Sequence, residues 1–147
     1  MVPFIGVLIV LSGILGSCIA SKPDRCVHDG DDILFRVKTW SDLRHWRNTF
    51  PECDDGYLAE GVSEFVTKSL ADRWSELASL QSEIERDPQF KPFVVRHVDA
   101  TAGPERLEAI VENATSRCPS AEAVLCSGLA HAARVALREY TKLRGVK

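Results

Sequence analysis

The chain has 147 residues and a formal net charge of −3, and 45% of its residues are hydrophobic. This length fits one domain and excludes an arrangement of several large domains. A net charge this small excludes no class of partner by itself. The chain also contains five cysteines, which favour an oxidising compartment over the reducing cytosol.

The first 20 residues carry no charged side chain, whereas the chain beyond them is rich in charge. Their centre, from Phe4 to Leu15, is an apolar run. It has the length of a signal-peptide core, about 7–15 residues, and is shorter than the about 20 residues that span a bilayer. No Lys or Arg precedes it, so only the amino terminus supplies positive charge. We predict that residues 1–20 are a signal peptide and that the exported protein is periplasmic or attached to the outer membrane.

Two cleavage sites compete in this leader. Leu15-Gly16-Ser17-Cys18 resembles the bacterial lipobox, in which a lipidated cysteine becomes the new N-terminus and anchors the protein through its acyl chains. Alternatively, Cys18-Ile19-Ala20 provides the small-x-small pattern of a protein that is cleaved before Ser21 and is not lipidated. Cys18 is therefore a candidate lipidation site, and membrane anchoring is one of two alternatives.

The other cysteines, Cys26, Cys53, Cys118 and Cys126, are even in number, as expected for disulfides in an exported protein. Four cysteines allow three pairings. We predict the sequence-local one, Cys26 with Cys53 and Cys118 with Cys126. A zinc site is the alternative, but the sequence contains no C-x-x-C pair. We therefore predict no metal and no cofactor.

The mature chain divides into a short arm and a helical region. Residues 21–38 contain the turn patterns Lys22-Pro23-Asp24 and Asp29-Gly30-Asp31 and one β-like run, Ile33–Val37. We interpret them as an extended arm. We interpret residues 39–147 as a single all-α domain of five or six helices that are separated by Pro and Gly corners.

The longest helical pattern runs from about Tyr57 to Glu85, with apolar residues at three- and four-residue steps. It is longer than an ordinary globular helix, so we expect a break near residues 72–75. Gly61 lies inside the pattern, where glycine costs about 1 kcal/mol relative to alanine. We expect the close approach of a packed helix to be the reason. Another helix is expected to begin after Thr39 or Ser41 as its N-cap.

A dense polar segment, Glu52-Cys53-Asp54-Asp55-Gly56-Tyr57, precedes this pattern, and Glu60 lies one turn further on. Carboxylates this close together suit a calcium ion or an acid–base pair. Asp54 and Asp55 also stand where helix-capping residues belong, at the positive end of a helix dipole. We favour capping and retain Asp54, Asp55, Tyr57 and Glu60 as a candidate functional surface.

Arg96-His97-Val98-Asp99 is the fragment most similar to a catalytic site. His97 is a candidate general base, and Asp99 is a candidate for the carboxylate that orients it. Side chains two positions apart on a helix point in different directions, however, and no serine or cysteine occurs in a recognisable nucleophile motif. We therefore interpret His97 as the end of a helix, with Asp99 or Thr101 capping the next segment. We predict no catalytic residue and add His97 and Asp99 to the candidate surface.

The stretch CDDGYLAEGVSE, from Cys53 to Glu64, resembles small exported helical proteins of Proteobacteria, as do the later Cys118-Pro119 and Cys126. Within that group it is similar to the periplasmic immunity proteins that neutralise type VI secretion amidases, which carry a Cys, a Tyr and a Gly at the start of a helix. The resemblance implies an all-α, disulfide-containing periplasmic protein that plugs the active site of a toxin. It assigns no functional residue to this chain.

Taken as a whole, the sequence favours a non-catalytic binding protein of the bacterial envelope, an inhibitor of the immunity kind or an adaptor. We expect a protein partner and no nucleic acid. One alternative is a small periplasmic hydrolase or metal-dependent enzyme that uses His97 and the acids at positions 54, 55 and 60. The other is a structural lipoprotein that depends on its anchor at Cys18.

Overall fold

The computed structural model describes residues 22–145, and this part of the chain is helical, with short turns and no strand. The predicted leader lies outside the described residues. The all-α prediction is confirmed. The helices are α1 (Lys22–Arg25), α2 (Asp31–Phe35), α3 (Trp40–Thr49), α4 (Gly56–Asp72), α5 (Leu77–Arg86), α6 (Phe90–Arg96), α7 (Pro104–Ser116) and α8 (Ala123–Arg144), with a π-helical turn at Cys26–Gly30 and 3-10 turns at Pro51–Cys53, Trp74–Glu76 and Ser120–Glu122.

The N-terminal segment is helical, so the prediction of an extended arm with a β-like run at Ile33–Val37 is wrong. A lone strand leaves its backbone N–H and C=O groups without partners, whereas a helix satisfies them internally. Tertiary contacts hold the segment in place. Its carbonyl at Gly30 accepts a hydrogen bond from Nε1 of the buried Trp46 at 2.8 Å. The turn expected at residues 29–31 likewise lies within helical structure.

Helix α4 is the element against which the N-terminal segment and the C-terminal helices both pack. It contacts α2 and α7, and Val62 and Val66 on its inner face are fully buried. The side-chain amide of Asn113 on α7 donates to the carbonyl oxygens of Leu70 and Ala71 at 3.0 Å each. These two bonds join the end of α4 to α7, which in turn packs along α8.

Gly61 of α4 faces α2. A Cβ atom at this position would lie 3.2 Å from Cδ2 of Leu34, closer than side chains ordinarily pack. The expected close approach of a helix at Gly61 is therefore confirmed, but the helix is α2, in the segment where the sequence predicts a strand.

The predicted helix boundaries are mostly confirmed. Thr39 caps α3 and forms a capping box with Asp42, whose backbone N–H donates to the Thr39 hydroxyl at 3.1 Å. The long helical pattern breaks where expected, because α4 ends at Asp72 and a 3-10 turn precedes α5. No helix among the described residues has the length and apolarity needed to cross a membrane.

Candidate functional site

A buried serine lies at the centre of the candidate site. Ser63 is on α4 and is 2% exposed. Its Oγ donates to Oδ2 of Asp99 at 2.6 Å and lies 3.0 Å from Nδ1 of His97. These contacts explain how a hydroxyl is tolerated on the inner face of α4, because a buried polar group is costly unless it is hydrogen-bonded.

His97 and Asp99 reach the same serine because α6 ends before them. The helix stops at Arg96, and His97 follows as its C-cap residue. Asp99 then lies in a turn, where its Oδ1 accepts hydrogen bonds from the backbone N–H and the hydroxyl of Thr101 at 2.9 and 2.5 Å. Asp99 thus stabilises the turn itself, whereas α7 has Gly103 as its N-cap residue and no side-chain cap. The expectation that His97 and Asp99 point apart is wrong, since it holds only within a continuous helix.

His97 lies between Ser63 and Asp54. Its Nδ1 faces the Ser63 hydroxyl, which donates its one proton to Asp99. On the other side of the ring, Nε2 lies 3.0 Å from Oδ1 of Asp54, and neither atom has an aligned hydrogen-bond partner among the described residues. His97 therefore faces a polar group at each ring nitrogen, Ser63 at Nδ1 and Asp54 at Nε2.

Asp54 connects these buried groups to the surface. Its side chain is 13% exposed, and its Oδ2 is paired with the guanidinium of Arg96. Burial raises the pKa of Asp54, but the contacts and charges of His97 and Arg96 outweigh it, so the pKa lies below its ordinary value. The Asp54 carboxylate thus lies between His97 and Arg96. We call Asp54, Ser63, Arg96, His97 and Asp99 the polar cluster.

A cleft of about 280 Å³ lies over the polar cluster and is also lined by Glu60. Serine, histidine and carboxylate groups beside a cavity are the components of a nucleophilic site. In such a site the histidine accepts the serine proton. Here Ser63 Oγ donates to Oδ2 of Asp99 and lies 3.0 Å from Nδ1 of His97. The arrangement fastens the turn after α6 to α4.

The other predicted surface residues lie around the start of α4. Asp55 is the N-cap of α4 and accepts from the backbone N–H of Gly56 at 2.7 Å, which confirms capping for this residue. Asp54, also expected to cap, instead joins the polar cluster. Glu60 is exposed at the rim of the cleft, and Tyr57 is 54% exposed. Tyr57 belongs to a separate groove beside α2, which we call the aromatic groove and which is lined by Asp31, Leu34, Phe35, Tyr57, Leu58 and Gly61.

Both predicted disulfide pairings are confirmed. Cys26 is bonded to Cys53, and Cys118 is bonded to Cys126. The first bond joins the turn after α1 to the turn immediately before α4, so it holds the N-terminal segment next to the candidate site. The second joins the loop after α7 to the first turn of α8. The candidate lipidation site Cys18 lies outside the described residues.

The sequence did not single out Ser63 or Phe35. A signal for Ser63 exists, because it shares the buried stripe of α4 with Val66 and Leu70, and a polar residue on such a stripe needs a buried partner. No comparable signal exists for Phe35, since an isolated apolar run does not show which of its side chains stays exposed.

The residues that the structure describes form no group of three or more His, Cys, Asp or Glu side chains suited to a metal ion.

Comparison with protein-family models, with curated proteins and with solved structures gives no match to this chain.

Proposed function

We propose that this protein is an exported, non-catalytic binding protein, an inhibitor or an adaptor that acts on a protein partner in the bacterial envelope. The proposal rests on one observation, which is that the side chains of the polar cluster contact one another. The only hydroxyl proton of Ser63 is donated to Asp99, and His97 lies between Ser63 and Asp54. The residues that most resemble a catalytic site are therefore occupied with one another.

The two disulfides support export. Disulfides persist in oxidising compartments and are rare in the reducing cytosol. The bonds Cys26–Cys53 and Cys118–Cys126 brace opposite halves of the helical domain. Location in the periplasm, or attachment to the outer membrane through Cys18, is the specific form of the proposal.

The sharpest form of the proposal is an immunity protein that blocks a toxin, such as a cell-wall amidase. Its support is the resemblance of residues 53–64 to such proteins, together with the all-α, disulfide-braced fold. An inhibitor of this kind needs a rigid surface and no chemistry of its own. The polar cluster supplies that rigidity, because it fixes the turn after α6 against α4.

The competing function is a small hydrolase, and one observation favours it. Ser63, His97 and Asp54 form a continuous chain of contacts beside a cleft of about 280 Å³. The variant Ser63→Ala separates the two functions because it removes the only candidate nucleophile of the cluster. A hydrolase would lose its activity, whereas a binding protein would keep its partner. Ser127→Ala, at an exposed position of α8, is the matched control.

The proposal is tested by isolating the tagged full-length protein from its native envelope after gentle crosslinking. We expect a stoichiometric protein partner that is retained by both Ser63→Ala and Ser127→Ala. Absence of any partner, or loss of the partner with Ser63→Ala alone while the variant remains folded, would contradict the proposal and return attention to the polar cluster as a reactive site.

A further inference from the structure

The aromatic groove exposes apolar side chains that the fold does not use. Phe35 is 91% exposed and Tyr57 is 54% exposed, and the groove between them encloses about 240 Å³. Exposed large apolar side chains are concentrated in the N-terminal part of the described chain, since four of the six lie from position 27 to position 57. The six are Val27, Ile33, Phe35, Tyr57, Val124 and Leu143.

The fold fixes the helices on the two sides of the groove. Gly61 is one of its lining residues, and a Cβ there would lie 3.2 Å from Leu34, so α2 approaches α4 as closely as the missing side chain allows. The disulfide between Cys26 and Cys53 fixes the segment that carries α2 to the start of α4. A preformed site loses little conformational freedom on binding, which favours affinity.

Acidic residues lie in the groove and near it in sequence. Asp31 lines it, and Asp55 and Glu60 lie two residues before and three residues after Tyr57. None of these three carboxylates forms an ion pair with a described residue. The nearest cation in sequence to Phe35, Arg36, is paired with Asp32 at 2.7 Å. Asp31 within the groove and the two acids near Tyr57 in sequence therefore make this surface complementary to positive charge.

The volume of the groove and the charge near it favour one kind of occupant over the others. Its volume of about 240 Å³ is below the about 300 Å³ at which small-molecule pockets begin. A second copy of the chain docked symmetrically would bring its own Asp31 and Glu60 against the same carboxylates, which repel one another. An anionic membrane surface would be repelled for the same reason. A basic protein segment meets none of these objections.

We propose that the aromatic groove binds a protein segment in which an apolar side chain is flanked by Lys or Arg. The apolar side chain packs between Phe35 and Tyr57 above Gly61, and the basic side chains reach Asp31 and Glu60. This inference rests on the proposed function, because it names the surface and the partner chemistry through which that function is carried out.

The test places the photoreactive residue benzoylphenylalanine at Phe35 in the tagged full-length protein and irradiates native envelopes. The matched control carries it at Val124, which is 76% exposed on α8, remote from α2 in sequence. We expect a crosslink from position 35 and none from position 124. We also expect the crosslinked partner peptide to contain Lys or Arg beside an apolar residue.

The outcomes separate this inference from the proposed function. A partner crosslinked from position 124 but not from position 35 leaves a binding protein and overturns the groove. A crosslink from position 35 to a second copy of the chain, or to a partner peptide without basic residues, also overturns it. Crosslinks from neither position overturn the groove, and if the envelope isolation also yields no partner they overturn the proposed function with it.

The identified partner, once purified, gives a quantitative test. Phe35→Ala should weaken binding about tenfold or more, as expected for an aromatic residue at the centre of an interface. The double change Asp31→Lys with Glu60→Lys should weaken it further and reduce its dependence on salt. Val124→Ala should leave affinity unchanged. Equal affinity of the Phe35→Ala variant and the parent chain would show that the groove is not the binding site.

Discussion

The buried and exposed positions of the first half of α4 differ in what their side chains contact. The buried Ser63 is bonded to His97 and Asp99, and each of these residues is fixed by the fold. The exposed Tyr57 and Glu60 lie on the same helix and form no ion pair with the described residues. From this difference we propose that the residues most similar to catalytic ones serve stability, whereas recognition uses exposed residues a turn or two away.

A large effect on stability is expected from His97→Ala. The substitution leaves Ser63 and the half-buried Asp54 without the group that lies between them, and leaving buried polar groups without a partner costs about 1–3 kcal/mol. Urea unfolding at neutral pH, followed by circular dichroism, measures the loss. His131→Ala, at an exposed position of α8, should change the free energy of unfolding by less than about 0.5 kcal/mol. Similar values for the two variants would contradict a stabilising role for the polar cluster.

The two disulfides should contribute unequally. Cys26–Cys53 closes 27 residues and Cys118–Cys126 closes 8, and a longer closed loop restricts the unfolded chain more. Replacing both cysteines by alanine should cost about 3.5 kcal/mol for the first pair and about 2.5 kcal/mol for the second. Urea unfolding of the two double variants gives the comparison.

Only the first disulfide bears on the aromatic groove. Its loss should raise amide hydrogen exchange across residues 22–35, where α2 carries Phe35, with little change in α7 and α8. A larger loss of stability from the second pair, or unchanged exchange in residues 22–35, would show that the N-terminal segment does not depend on this bond.

Acid should weaken the polar cluster, although burial raises the pKa of Asp54. His97 and Arg96 bring it below its ordinary value. A carboxyl with a lowered folded-state pKa adds stability that is fully present above its unfolded value of about 3.9 and is lost as pH falls through the folded value. The free energy of unfolding should therefore decrease between about pH 5 and pH 2.

The variant Asp54→Asn isolates this contribution. Its decrease in unfolding free energy with acid should be shallower than that of the parent chain. Some decrease should remain, because hydrogen bonds from Thr39 and Lys38 hold the pKa of Asp42 below its ordinary value against the opposing effect of burial. Asp72→Asn, which removes the same charge from an exposed position, is the control. Identical profiles for the Asp54→Asn variant and the parent would exclude Asp54 as a source of acid sensitivity.

The elements that the sequence predicted correctly are those with local causes. Thr39 and Asp42 form a capping box within four residues, and the helical pattern that ends at Asp72 carries its own periodicity. The sequence-local pairing of the cysteines was also correct. The run Ile33–Val37 was not, because its helical form depends on contacts with Trp46 and α4 that are distant in the chain.

The candidate site was predicted in part for the same reason. Asp54, His97 and Asp99 were selected by residue type, and the structure brings all three together. Their shared partner Ser63 is 34 residues from His97 in the sequence, and only the packing of the turn after α6 on α4 joins them. Nothing local distinguishes a histidine that is held between Ser63 and Asp54 from one that is free to act as a base.

The measurement that best compares the polar cluster with the aromatic groove is urea unfolding of Ser63→Ala and Phe35→Ala side by side at neutral pH. Ser63→Ala should lower the free energy of unfolding by about 2 kcal/mol, because it leaves His97 and Asp99 without a buried partner. Phe35→Ala should change it by less than about 0.5 kcal/mol, since the side chain is 91% exposed. If Ser63→Ala leaves the free energy of unfolding unchanged, the polar cluster does not stabilise the fold and is again a candidate reactive site. If Phe35→Ala costs as much as Ser63→Ala, Phe35 belongs to the fold and is not a free recognition surface.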